Sequence, residues 1–164
     1  MKVNKNLNTS LSNSIHSKNS SLPQTHPRPT FPPASGAGIF SVLTQHGADA
    51  SGNSVTTAAF TDAINAGGAR GQGSVIYVPA GTYPIGNLIL PSSTSLYLAT
   101  GSVLRFTGHS TDYRTDWYKP SQNRNGTKWI RTAFDPHSIK IYGRGFIDVS
   151  SVELCGDRSC QGFE

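Results

Sequence analysis

The sequence is poor in charged residues and in cysteine. Charged side chains make up 14% of the 164 residues, against about 25% in an average globular domain. The two cysteines, Cys155 and Cys160, are separated by four residues, so they can form a disulfide in an oxidising compartment or stay free thiols. Two thiols are too few for a metal site, and His46, His109 and His137 are each isolated from other ligands. We therefore expect no metal and no cofactor.

A concentrated basic patch is also missing from the main part of the chain. The net charge is +5, but residues 1–38 carry four basic and no acidic side chains, which leaves ten basic against nine acidic side chains in the rest. Nucleic-acid binding needs a positive footprint on the folded domain. We therefore expect no nucleic-acid partner.

Residues 1–38 contain no apolar run long enough for a signal peptide or a membrane span. They are rich in Asn, Ser, Pro and Lys, which predicts a disordered leader and no membrane partner. Residues 150–164 follow no regular pattern and are interpreted as an irregular tail. The folded part is therefore expected at residues 39–149, where many of the 17 glycines and ten prolines indicate turns.

A repeating outline of short apolar runs is present. Each copy has a serine, alternating apolar residues, and a glycine six or seven places after the serine; the copies begin at Ser74, Ser95 and Ser138, at spacings of 21 and 43 residues. Asn-Gly and Asp-Gly hairpin signals are missing between Val75 and Phe106. A repeat of this size without hairpins is typical of a solenoid with parallel strands. The sequence predicts an all-β fold, a right-handed parallel β-helix.

A short helix is predicted ahead of the first copy, after an apolar strand at residues 39–43. Thr56 or Thr57 can cap its start, and Gly67 and Gly68 would end it. Its apolar residues have the spacing i, i+1, i+4, i+5, which forms one helix face. We expect this face to cover apolar core and strand edges at the end of the stack. The apolar residues are Ala59, Phe60, Ala63 and Ile64.

Four stretches resemble the opening coils of the pectin-lyase-like β-helix enzymes. Three are Gly73–Tyr83 (GSVIYVPAGTY), Gly86–Leu90 (GNLIL) and Ser95–Gly101 (SLYLATG). The fourth, Ile141–Asp148 (IYGRGFID), is similar to the I-x-G-x-G-x-I-D coil of family 28 glycoside hydrolases, the polygalacturonases and rhamnogalacturonases. The resemblance covers about residues 39–149.

The helical region, Gly47 to Ala66, is similar to a segment found more widely in that superfamily. The superfamily segment reads D-G-x-x-D-D-T-x-A-F-x-x-A-I. In this chain, Ser54 to Thr57 stand in place of its paired acids. The resemblance is therefore more specific for the strand segments than for the helix.

The resemblance implies an inverting hydrolase of galacturonate-containing chains. Such enzymes protonate the leaving oxygen with one carboxylic acid and activate water with carboxylates roughly 6.5–9.5 Å away. In the family these groups come from N-T-D and D-D segments, completed by G-H-G and R-I-K, on later coils. None of the four segments occurs in this sequence. We therefore assign no catalytic residue, interpret Asp148 as structural, at a turn, and expect this chain alone to be inactive.

Two other classes remain open. One is a polysaccharide lyase or a glucanase on the same scaffold; lyases of this kind often use calcium and an arginine base, and acidic clusters for such a site are missing. The other is a non-catalytic carbohydrate-binding or structural β-helix piece.

The coil pattern breaks between Phe106 and Phe134, where polar, basic and aromatic residues collect. In β-helix enzymes such excursions flank the groove, where sugars stack on aromatic faces and arginine suits uronate carboxylates. Trp117, Trp129 and Arg131 are therefore candidate substrate-binding residues. The alternative is that the two tryptophans anchor a long loop to the coil surface.

The resemblance also implies an extracellular protein with a pectin-type polysaccharide as its partner, although the chain shows no signal peptide. We expect a monomer. Glycosylation acceptor triplets begin at Asn8, Asn19 and Asn125, and they count only if the protein is secreted.

Overall fold

The computed structural model describes residues 31–149, which form parallel β-sheets and one helix. The leader up to residue 30, the tail from residue 150, both cysteines and the triplets at Asn8 and Asn19 lie outside the described residues. The elements are β1 Ile39–Ser41, α1 Thr57–Arg70, β2 Ser74–Val78, β3 Gly81–Ile85, β4 Leu88–Leu90, β5 Thr94–Leu98, β6 Ser102–Phe106, β7 Trp117–Lys119, β8 Arg124–Gly126, β9 Ile130–Thr132, β10 Lys140–Gly143 and β11 Phe146–Asp148.

Three sheets are built from parallel neighbours. Their strand orders are β1-β2-β5-β10, β11-β6-β3 and β4-β9, and every pairing within them is parallel. The chain visits the sheets in a fixed order: β2, β3 and β4, then β5, β6 and β9, then β10 and β11. The prediction that successive copies of the repeat form parallel strands is confirmed.

The register differs from the one that the serines indicated. Ser74 pairs with Thr94 rather than with Ser95, and Lys140, not Ser138, lies opposite Ser95. For β2 and β5 the reason is burial: pairing Ser74 with Ser95 would shift the register by one residue and turn every side chain of one strand to the other face. The observed register places Ile76, Leu96 and Ile141 in one inward-facing column, with Leu96 between the other two.

Two buried serines close corners of the stack. The Ser74 hydroxyl donates to the Gly71 carbonyl (2.7 Å), and the Ser102 hydroxyl donates to the Ala99 carbonyl (2.8 Å). Each bond satisfies a polar group that enters the core at the start of a strand. The inward side chains between the sheets are apolar. They include Ile76, Val78, Tyr83, Ile85, Leu88, Leu90, Leu96 and Leu104, all buried.

The predicted helix is present, but the glycines do not end it. Helix α1 continues through Gly67 and Gly68 to Arg70, because Gly67 packs on the core: a Cβ there would lie 2.7 Å from Cδ1 of Ile76. Gly71, with φ of +86°, follows the helix and donates its N–H to the Gly67 carbonyl (3.0 Å). The helix face carries Phe60, Ala63 and Ile64, all buried in the core.

The expected threonine cap is also absent. Thr56 occupies the N-cap position without a side-chain capping bond, and its hydroxyl is buried without a partner. The Thr57 hydroxyl accepts the Gly86 N–H (2.7 Å), so it links the helix start to the loop after β3 instead. Tertiary contact has therefore replaced local capping.

The segment between Phe106 and Phe134, which we call the excursion, forms a hairpin and then a strand that pairs with the parallel sheets. β7 and β8 pair antiparallel, with Trp117 opposite Gly126, around a turn in which Asn123 is left-handed (φ +48°). β9 then pairs in parallel with β4, with Leu88 opposite Ile130. The break in the coil pattern therefore ends at β9 rather than at Phe134, because three residues suffice to pair with the short strand β4.

Within residues 31–149, the strands β9, β10 and β11 each pair on one side only. We call them together the outer edge. Ile141 and Ile147 continue inward columns of their sheets but are 46% and 45% exposed. Among the described residues, no helix has the length and apolar character to cross a membrane.

Candidate functional site

Aromatic side chains fasten the base of the excursion to the stack. Phe106 stacks on Tyr113 with ring centroids 4.1 Å apart and meets Trp129 edge-on at 5.2 Å. The Tyr113 hydroxyl and the Trp129 indole N–H both donate to the Ile85 carbonyl, at 3.0 and 3.1 Å. The Tyr113 oxygen also accepts the Thr107 N–H (2.8 Å). Both ends of the excursion are thus bound to the end of β3.

Asn87, in the loop between β3 and β4, connects the two ends by its side-chain amide. Its Oδ1 accepts the Arg114 N–H (2.8 Å). Its Nδ2 donates to the Thr127 hydroxyl (2.8 Å) and to the Lys128 carbonyl (2.9 Å). One side chain therefore fixes the segment before β7 and the segment after β8.

Asp116 fixes the same region by charge. Its Oδ2 accepts the Lys128 N–H (2.7 Å), and its Oδ1 lies 2.9 Å from Nε of Arg114. The pKa of Asp116 lies below its ordinary value, chiefly because of the Lys128 backbone bond and also because of the positive charges of Arg114 and Arg131. The carboxylate is ionised at neutral pH and holds Arg114 in place.

Trp117 lies on the hairpin with about half of its surface exposed. The indole lies against Gly126 on the paired strand, where any Cβ would overlap the ring. Its exposed fraction is 48%. The ring borders a groove of about 490 Å³ whose other lining residues are Ser110, Tyr113, Arg114, Thr115, Asn125, Gly126 and Thr127.

The positive charge of the described chain is concentrated here. Residues 107–131 contain five basic and two acidic side chains, a local net charge of +3. Residues 39–149 carry nine basic and six acidic side chains, so their whole net charge of +3 equals that of residues 107–131. The near balance of ten basic against nine acidic side chains over residues 39–164 conceals this uneven distribution. Counting charge in short windows of the sequence would have found it.

The three predicted binding residues have different surroundings. Trp117 lines the groove beside the hairpin, and Trp129 is half-buried in the aromatic base. Arg131, on β9, lies opposite Ile89 of β4. Together with Lys128 it lines a separate cavity of about 590 Å³. The Nε of Arg131 is buried without a hydrogen-bond partner. The structure thus places Trp117 and Arg131 at two cavities, and the contacts of Trp129 are those of an anchor.

Sequence reasoning missed Arg114 and Asn87. Arg114 stood among many polar residues of the excursion with no feature to single it out, and the role of Asn87 depends on partners up to 41 residues away. Asp148 lies in β11 rather than in a turn and pairs with Arg105 at 3.5 Å. Within residues 31–149, no three His, Cys, Asp or Glu side chains come together as a metal site.

The chain is similar to a family 28 exopolygalacturonase of Yersinia enterocolitica, with 27% identity and a TM-score of 0.56 over 66% of this chain. It spans 20% of the length of that enzyme. An iota-carrageenase of family GH82 from A. fortis aligns at 17% identity over 66% of this chain and 23% of its own length, with a TM-score of 0.48. No curated protein matches the chain.

A family model described as rhamnogalacturonase A/epimerase, pectate lyase-like, matches residues 39–133. This range begins at β1 and ends directly after β9, so it takes in the helix, the strands β1 to β9 and the excursion, whereas β10 and β11 lie beyond it. The chain belongs to this pectate lyase-like family.

Proposed function

We propose that residues 39–149 are the N-terminal coils of a right-handed parallel β-helix in an extracellular enzyme that hydrolyses pectin-type galacturonan. The observation that carries this proposal is the 27% identity to a family 28 exopolygalacturonase over 66% of this chain, in a chain whose strands pair in parallel. The catalytic step would follow the inverting two-carboxylate mechanism. Its carboxylates would come from coils other than those described.

The described coils would contribute substrate contacts rather than catalysis. Trp117, Trp129 and Arg131 are the proposed binding residues. Trp117 has an exposed side chain at one groove, and Arg131 lines a second cavity, which supports these two most directly. Trp129 would act by holding the excursion on β3.

Incubation with polygalacturonate tests the proposal. A protein that carries these coils together with catalytic ones is expected to release new reducing ends with inverted anomeric configuration, followed by proton NMR. The 164-residue chain alone is expected to release none, so measurable galacturonate from it would contradict that expectation.

The same assay distinguishes the alternatives. Ultraviolet absorbance from an unsaturated product would identify a lyase, and release from a glucan but not from polygalacturonate would identify a glucanase. Retention on immobilised polygalacturonate without cleavage by the longer protein would identify a non-catalytic binding module.

A further inference from the structure

We propose that the groove beside the β7–β8 hairpin binds acidic polysaccharide by itself, with a uronate ring stacked on Trp117 and its carboxylate bound by Arg114. The choice of galacturonan as the ligand rests on the proposed function. The binding itself needs only residues of this chain, so it can be tested separately from hydrolysis.

The platform for the sugar is built by the pairing of Trp117 with Gly126. Because residue 126 has no side chain, the indole can lie against the β8 backbone. One side of the ring is thereby supported, and 48% of the residue remains exposed. A tryptophan needed only to hold the hairpin would gain more by being buried, as the half-buried Trp129 is. A supported, exposed aromatic ring provides contact area at little cost in conformational entropy.

The position of Arg114 is fixed on both its backbone and its side chain. Its N–H is held by Asn87, and its Nε pairs with Asp116. The two terminal guanidinium nitrogens carry further donors in a planar fork, which matches a carboxylate. Arg114 and Trp117 line the same groove, so one sugar ring can contact both.

The remaining lining and the charge agree with an anionic carbohydrate. Thr115, Asn125 and Thr127 add hydroxyl and amide groups suited to sugar hydroxyls. The groove of about 490 Å³ is within the range of ligand sites, roughly 300–1,000 Å³. The local net charge of +3 favours an acidic chain over a neutral one and makes the binding sensitive to salt.

The test is titration of the 164-residue chain with trigalacturonate and with neutral galactotriose, followed by tryptophan fluorescence and calorimetry. Trigalacturonate is expected to bind more tightly than galactotriose and to change the Trp117 emission. Trp117→Ala is expected to weaken trigalacturonate binding by about tenfold, whereas Phe146→Ala, which removes an exposed aromatic ring at the outer edge, should leave it unchanged.

Arg114 is tested by a matched pair of charge variants. Arg114→Gln is expected to weaken trigalacturonate binding by about tenfold and to leave galactotriose unchanged, with Arg114→Lys intermediate because it keeps the charge and loses the fork. Lys140→Gln removes an exposed charge outside the groove and should have little effect. Retained Trp129 emission and circular dichroism show that each variant is folded.

Equal affinity for the neutral and acidic trisaccharides, or full binding by Trp117→Ala, would overturn the groove proposal. Binding by this chain without hydrolysis by the longer protein would overturn the proposed enzyme and leave the groove. Hydrolysis of polygalacturonate by the longer protein, with no binding by this chain, would overturn the groove proposal and leave the proposed enzyme.

Discussion

At the scale of single residues, the excursion is held mainly by polar bonds to Ile85, at the end of β3, and to Asn87, in the loop after it. The Ile85 carbonyl accepts two of them, and Asn87 makes three more. Such bonds are strong only while their geometry is kept, because each unsatisfied buried partner costs free energy. Asn87 is therefore more important to the groove than its distance from Trp117 in the sequence indicates.

Asn87→Ala is expected to lower the free energy of unfolding by about 0.5–1.5 kcal/mol, since it removes bonds to the Arg114 N–H and the Lys128 carbonyl at exposed positions where water can replace the amide. The hairpin should loosen, which urea denaturation and quenching of Trp117 by acrylamide would detect. Asn53→Ala, at an exposed position outside the excursion, is the control. Unchanged stability and quenching for Asn87→Ala would show that the amide does not fix the hairpin.

Tyr83 predicts an alkaline limit to stability. It is fully buried beneath Phe60, and this burial raises its pKa to about 12, compared with about 10 in the unfolded chain. Because the folded state favours the neutral phenol, its contribution is fully present below pH 10 and is lost as the pH rises towards 12. The slope for one such group is at most about 1.4 kcal/mol per pH unit.

Tyr83→Phe should remove that part of the alkaline fall. At neutral pH it should cost less than about 1 kcal/mol, because the hydroxyl makes only a long bond of 3.5 Å to the Ala80 carbonyl. Urea midpoints between pH 8 and 11.5 would measure both effects. Tyr118→Phe, at an exposed tyrosine, is the comparison; an equal change in slope for the two variants would contradict the role of burial.

At the scale of elements, alternation of side chains decides which face of each strand is buried. In β5, Leu96 faces the core and Ser95 faces outward. The sequence predicted these strands and their parallel order from this alternation and the absence of hairpin signals. It did not predict the register, because the serine that starts each copy is a corner residue whose place shifts between copies.

The inward column Ile76, Leu96 and Ile141 gives a graded prediction. Leu96→Ala, in the fully buried middle of the column, is expected to cost about 2–5 kcal/mol. Ile141→Ala should cost clearly less, because nearly half of that residue is exposed. Equal losses in urea unfolding would indicate that the outer edge is covered in solution; Ser95→Ala is the outward-facing control.

The hairpin was not predicted, and the end of the helix was predicted wrongly, because their determinants are remote in sequence. Asn125-Gly126 lies in a strand rather than in the turn, and Gly126 is needed for contact with Trp117. Gly67 is needed for contact with Ile76. A glycine has no side chain, so it can adopt a positive φ in a turn or allow a close contact with another residue. Only the fold shows which of the two applies at a given glycine.

At the scale of the whole molecule, the stack is closed by α1 on the side of β1 and β2 and is exposed at the outer edge. β10 and β11 present unpaired backbone groups on one side together with Ile141, Phe146 and Ile147. Strand edges of this kind promote association between chains. The described stack therefore has one end covered by the helix and one end with exposed strand edges.

The 164-residue chain is accordingly expected to associate as its concentration rises, measured by light scattering after size exclusion. Ile147→Lys should reduce this association, because a charge on the inward column opposes pairing with another chain. Val55→Lys, a change of another exposed apolar residue near the start of the helix, should not. A chain that stays monomeric at all concentrations, or an equal response to both changes, would contradict association through the outer edge.

The sequence by itself determined the strands, their parallel direction, the presence of one amphipathic helix and the family resemblance. These follow from alternation, spacing and short motifs, which act locally through burial of apolar side chains. Only the tertiary structure decided the strand register, the end of the helix, the hairpin and the placement of Trp117 and Arg114 at one groove. Each of these depends on hydrogen bonds or close contacts between residues far apart in the chain, and no local pattern records such partners before the chain has folded.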